Sequence, residues 1–111
     1  MKKRTIAVVL ALVIGAIAAL PVLAATPKIT GTVGPGFTIS LKKPTRAGKY
    51  TLVVSDKSSI HNLRLKGPGV NVATSVPATG SKTFTVTLKK GKYTFLCDPH
   101  PTSMKGSFTI R

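Results

Sequence analysis

Apolar side chains recur at every second position along most of the chain, and this period limits what it can fold into. Phe37, Ile39 and Leu41 alternate with Thr38 and Ser40, and Tyr50, Leu52 and Val54 alternate with Thr51 and Val53. Phe84, Val86 and Leu88 alternate in the same way with Thr83, Thr85 and Thr87. Successive side chains of a strand point to opposite faces, so runs of this kind, rich in Thr, Val and Phe, are half-buried strands. No helical stripe of useful length competes with them. Turn chemistry divides the runs at Gly34-Pro35-Gly36, Lys43-Pro44, Ala47-Gly48, Gly67-Pro68-Gly69, Thr79-Gly80 and Lys90-Gly91. The punctuation predicts about seven strands, over residues 28–33, 36–42, 49–55, 60–66, 82–89, 91–97 and 105–110. The stretch 67–81 has no clear period and is expected to cross between sheets. Short strands at this spacing make an all-β, antiparallel sandwich or barrel.

The first 24 residues differ from all that follows. Lys2, Lys3 and Arg4 precede an uncharged apolar run from Ile6 to Leu20, and Val22-Leu23-Ala24-Ala25 offers small residues for a peptidase. That is the layout of a secretory signal peptide. The run is shorter than the roughly 20 residues a bilayer core requires, and Pro21 closes it. The expected organisation is a signal over residues 1–24 and one domain over 25–111, located in the periplasm or secreted. A domain of that length holds one core.

Within 25–111, fourteen Lys and Arg face only two carboxylates, Asp56 and Asp98. The formal net charge is therefore +12, against +15 for the whole chain. An acidic redox protein or an anionic envelope surface would be attracted. Nucleic acid fits poorly, because the basic residues are scattered and lack interleaved stacking aromatics. So many cations on so small a domain are expected to spread positive potential over the whole molecule.

Cys97 is the only cysteine. An exported domain with one thiol cannot form an internal bridge, and an unguarded thiol is prone to oxidation. On the expected fourth strand, His61 shares a face with Leu63 and Leu65, while Asn62, Arg64 and Lys66 point away. On the sixth, Cys97 shares a face with Tyr93 and Phe95, and Met104 has the parity of Phe108 and Ile110. His100 lies in the loop between the last two strands. Each residue alone is compatible with ordinary packing. Jointly, the one Cys and both His converge on one end of the sandwich with a Met close by. Two imidazoles, a thiolate and a weaker thioether are the donor set of a copper electron-transfer site. The expected ligands are His61, Cys97, His100 and Met104, holding one ion as Cu(I) or Cu(II). Zinc suits the set less, because of the Met. Cys97 and His100 as a nucleophile and base would lack an orienting third group and an oxyanion site, so no enzyme is expected.

The stretch from Gly91 to Ile110, GKYTFLCDPHPTSMKGSFTI, with Ile60-His61-Asn62-Leu63 upstream, resembles the small blue copper proteins, or cupredoxins, of the plastocyanin, pseudoazurin and amicyanin type. The resemblance implies a Greek-key sandwich with copper at one end, ligands at His61, Cys97, His100 and Met104, and single-electron carriage between redox partners. It implies that Asn62 ties its loop to the ligand loop and gives a backbone N–H to the thiolate. A second donor at the position of Pro99 is impossible, because Pro has no N–H. The ring of His100 would carry electrons to the surface, with Pro101 on an apolar docking face. Three residues separate His100 from Met104, where plastocyanin-like loops have four and amicyanin-like loops two. Two other functions fit the same residues: an extracytoplasmic copper carrier without a redox role, and a metal-free basic binding module. A monomer is expected in each case.

Overall fold

The computed structural model describes residues 25–111. The leader expected over residues 1–24 lies outside them. Eight strands follow in order: β1 (Lys28–Val33), β2 (Ile39–Leu41), β3 (Gly48–Asp56), β4 (Arg64–Gly67), β5 (Val70–Ala73), β6 (Gly80–Leu88), β7 (Gly91–Leu96) and β8 (Lys105–Ile110). They form two four-stranded sheets, β2-β1-β3-β6 and β5-β4-β7-β8. Neighbours are antiparallel except β1 and β3, which run parallel from Lys28 opposite Thr51 to Val33 opposite Asp56. This exception arises because β2 folds back onto the outer edge of β1, leaving its other edge for β3.

The alternation in sequence becomes alternation in burial. Leu52 and Val54 of β3, Val86 and Leu88 of β6, Leu65 of β4, Tyr93 and Phe95 of β7 and Ile110 of β8 all turn inward. Their Thr, Ser and Lys neighbours turn to water. Burying such side chains is worth roughly 1.5–3 kcal/mol each, so the inward rows hold the two sheets together.

Three features differ from the sequence-based expectation. A strand, β5, occupies part of the stretch without period, because Pro68 and Gly69 make a tight turn in which Gly69 has φ of +69°. That turn lays Val70–Ala73 back on β4, with Gly67 opposite Val70. The crossover between sheets is thus only residues 74–79. The fourth strand begins at Arg64 and not at residue 60, and the second spans only Ile39–Leu41. His61, Asn62 and Phe37 therefore lie in loops, where strand parity does not apply.

The connections fall into two sets. Residues 34–38, 57–63, 74–79 and 97–104 gather at one end of the sandwich, and residues 42–47, 68–69 and 89–90 at the other.

Candidate metal centre

Cys97 follows directly on β7, and Met104 directly precedes β8. The loop between them is closed by its own backbone. Cys97 N–H donates to Met104 O at 3.0 Å, His100 N–H to Cys97 O at 3.1 Å, and Met104 N–H to His100 O at 3.0 Å. Pro99 and Pro101 fix two further φ angles. The loop is thus two short turns stacked on the end of the β7–β8 ladder, with His100 held between them. His61 enters from the 57–63 loop.

The Nδ1 atoms of His61 and His100 are 3.1 Å apart, and Cys97 Sγ is 3.7 Å from each. A point in the plane of these three atoms lies about 2.0 Å from all of them, close to metal–nitrogen and metal–sulfur bond lengths. Two imidazole nitrogens and a sulfur directed at one another can share protons only imperfectly, whereas a soft cation at the centre would engage all three lone pairs. His61 and Cys97 are fully buried and His100 is half-buried. Nε2 of His61 is buried without a partner, so that ring is oriented by what lies at Nδ1 and by packing. The donor set and its spacing fit a copper ion.

Met104 is also buried, within the same core cluster as Cys97. Its backbone closes the loop on both sides. The four residues expected from the sequence thus meet at one end, three of them through their donor atoms.

Behind the thiol, Asn62 N–H points to Cys97 Sγ at 3.5 Å. It is the backbone donor to this sulfur among the described residues. The Asn62 side chain, expected to face solvent, is instead 1% exposed. It donates to Asp98 Oδ2 at 2.8 Å and to Thr74 O at 3.1 Å, and accepts from Asp98 N–H at 2.7 Å. The loop tie implied by the resemblance is therefore made, and it joins three loops. Thr74 completes it: its Oγ1 accepts from Leu63 N–H at 3.0 Å.

The network reaches the surface through Arg64, whose Nε donates to Asp98 Oδ1 at 2.7 Å and Nη2 to Oδ2 at 2.9 Å. Hydrogen bonding from Arg64 holds the Asp98 carboxyl below the usual carboxylate range, against the desolvation that pushes it up, and Asn62 adds to the lowering. The same bond raises the Arg64 guanidinium. Such forked, charge-assisted pairs fix orientation as well as energy.

Phe37 was expected on the core face of a strand. It is 63% exposed, and its ring stands edge-on to both His61 and His100, with centroids 4.9 Å from each. Sequence reasoning also missed Thr74, Asp98 and Arg64 as parts of the site. Thr74 lies in the aperiodic stretch, and Asp98 and Arg64 read as ordinary surface charges. The only signal was that Asp98 adjoins Cys97.

Residues 38–111, more than half of the chain, match the model of the copper-binding proteins of the plastocyanin/azurin family. The chain belongs to that family. As in the name of the plastocyanin/azurin family, copper is its metal, one ion per chain, and the His61–Cys97–His100 triangle agrees with this. No curated protein sequence gives a match. Among solved structures, the fold is similar to auracyanin A, a blue copper protein from the green thermophilic photosynthetic bacterium Chloroflexus aurantiacus. The identity is 20%, the TM-score 0.51, and 76% of this chain and 98% of that one are covered. It is also similar to dithionite-reduced auracyanin from the photosynthetic bacterium Roseiflexus castenholzii, at 20% identity and TM-score 0.52, covering 79% and 98% of the two chains.

Proposed function

We propose that this protein is an exported type 1 copper protein that carries single electrons, in which His61, Cys97 and His100 would hold the ion strongly and Met104 would be a weaker fourth ligand. The observation that carries this is the triangle of two Nδ1 atoms and one Sγ, backed by the Asn62 N–H on the sulfur. When bound, copper supplies a one-electron couple between Cu(I) and Cu(II).

The protein's part is to keep the donors still. Backbone bonds across residues 97–104 and the Asn62–Asp98–Arg64 network hold the triangle in place. A rigid set of donors needs little rearrangement when charge changes, which favours electron carriage. Burial of His61, Cys97 and Met104 opposes ready release, which disfavours delivery of the ion to an acceptor. The half-buried His100 ring, with exposed Phe37, Ile60 and Pro101 near it, forms an apolar approach for a soluble redox partner. The net positive charge draws acidic partners to the molecule from a distance, and the apolar contact around His100 selects the final docking. No enzymatic role is part of this reading.

The visible spectrum of the copper(II) protein tests it. Strong sulfur-to-copper charge transfer is expected, and weak, ordinary copper(II) absorption would falsify the assignment. Exchange with an acidic redox protein should slow as salt rises, because the screening length falls from about 30 Å at 0.01 M to about 10 Å at 0.1 M.

A further inference from the structure

The cations do not spread evenly over the molecule. At the end remote from the donors, the connection between β2 and β3 carries Lys42, Lys43 and Arg46, all exposed. The β6–β7 turn carries Lys89 and Lys90, also exposed, with Lys89 Nζ lying over the Gly69 turn. Lys49 and Lys92 stand at the second positions of β3 and β7 beside these turns. Arg111 donates its N–H to Thr45 O at 3.3 Å and so belongs to the same end. Lys28, at the start of β1, joins Lys42, Lys43 and Arg46 around an open cleft of about 290 Å³.

No Asp or Glu stands there. Asp56 ends β3 and Asp98 follows Cys97, so both carboxylates are at the donor end. Among the described residues the ion pair is also there, between Arg64 and Asp98. The large exposed apolar side chains, Phe37 and Ile60, are at the donor end as well. The molecule is thus polarised, with a donor end where Lys57, Arg64, Lys82 and Lys105 face both carboxylates, and a strongly cationic end that has no carboxylate and no large exposed apolar side chain.

We propose that the cationic end rests on an anionic phospholipid bilayer and turns the donor end outward, toward soluble redox partners. A redox partner is excluded as the occupant by distance. The nine residues of β3 at about 3.3 Å each put roughly 30 Å between the two ends, so a partner seated there is far from His100. An acidic polypeptide held by specific contacts fits less well, because such interfaces centre on aromatic anchors, and the one aromatic beside this cleft, Tyr50, is half-buried with its hydroxyl already donated to Arg46 O. Lysines and arginines on turns and strand ends suit instead the diffuse field of lipid phosphates, to which each cation near the surface adds about a fivefold gain in affinity. Without a large exposed apolar side chain to insert, the association is reversible and screened by salt. The inference concerns the end remote from the metal, so its test is independent of the copper assignment.

The test is flotation of the holoprotein with vesicles of equal parts phosphatidylglycerol and phosphatidylcholine, and with vesicles of phosphatidylcholine alone. Binding to the first and not the second is expected, with loss at high salt. Lys42→Glu/Lys90→Glu should then weaken binding by at least about thirtyfold, while Lys57→Glu/Lys82→Glu, with the same change in net charge, should weaken it by less than about fivefold. Unfolding midpoints establish that each variant is folded, and Lys43→Glu/Lys89→Glu gives a second pair from the same end. Equal losses from the two ends would overturn the polarity, since net charge alone would then account for binding. Absence of binding to the anionic vesicles would overturn the proposal outright. So would tighter binding of soluble polyglutamate than of the anionic vesicles at equal charge and salt, which would make the occupant an acidic polypeptide.

Discussion

The two ends of the sandwich are held by different physics. At the donor end, Cys97, His61 and Asn62 are buried polar or ligating groups, and they are ordered by directed bonds: Asn62 to Asp98 and Thr74, Arg64 to Asp98, and the backbone of residues 97–104 to itself. At the opposite end, Tyr93 is fully buried and stacks on Phe108 with centroids 5.3 Å apart and planes within 8°. Its hydroxyl accepts from Lys89 N–H at 2.8 Å and reaches Pro68 O at 3.1 Å, so one aromatic side chain ties two turns to the core. Gly67 passes so close to this ring that a Cβ would stand 2.1 Å from it. The difference teaches that function and stability are separable here. Polar geometry at one end sets the chemistry, and aromatic packing at the other locks β4, β7 and β8 of one sheet and pins two turns to them.

That separation can be broken by substitution. The largest effect belongs to Cys97→Ser, which should abolish the strong visible absorption of the copper(II) protein while leaving the apoprotein folded; absorption that survives the change would remove the thiolate from the site. Next comes Gly67→Ala at the other end. The added methyl meets the Tyr93 ring, and a loss of about 1–3 kcal/mol in chemical denaturation is expected, with the spectrum of the folded copper form unchanged. If the colour shifts with it, the two ends are coupled and the comparison fails.

Met104→Leu should keep the colour and raise the reduction potential measured by voltammetry, because an axial donor favours the more charged Cu(II) state. No change in potential would make Met104 a packing residue. Arg64→Ala is expected to cost less than about 1 kcal/mol, since the pair with Asp98 is partly exposed. It should nonetheless shift the charge-transfer band, because Asp98 also positions Asn62. The smallest effect on stability is that of Phe37→Ala, within about 0.5 kcal/mol for so exposed a side chain. Its consequence is kinetic: electron exchange with a soluble partner should slow, and an unchanged rate would take Phe37 out of the docking face.

Much of the fold was legible in the sequence. Strands of clear period, such as Tyr50–Val54 and Phe84–Leu88, appear where the alternation put them, because one buried face fixes the register of a strand. The meeting of His61, Cys97 and His100 at one end was legible for a different reason: the one Cys and both His lie in or beside loops that a sandwich brings to the same end. The surroundings of other loop residues were not legible. Phe37 and Asn62 exchanged the environments assigned to them, Phe37 moving out to the imidazoles and Asn62 moving in behind the thiol, because neither lies on a strand. The brevity of β5 hid it, since Val70 and Val72 alone make no period; the Pro68-Gly69 turn and pairing with β4 create that strand.

By itself, then, the sequence determined the class of fold, the residue types able to hold copper and the excess of positive charge, since these follow from local alternation and from which side chains are present at all. Tertiary structure alone decided how the donors face one another, which polar groups stand behind the thiol, and where the charge lies. The expectation of a positive potential spread over the whole surface illustrates this. Lys42, Lys49, Lys90 and Lys92 are separated along the chain, yet strand direction brings them to one end, while Asp56 and Asp98 are carried to the other. Composition counts charges without placing them; placement follows from which strand ends are neighbours, and that is settled only when the two sheets close on each other.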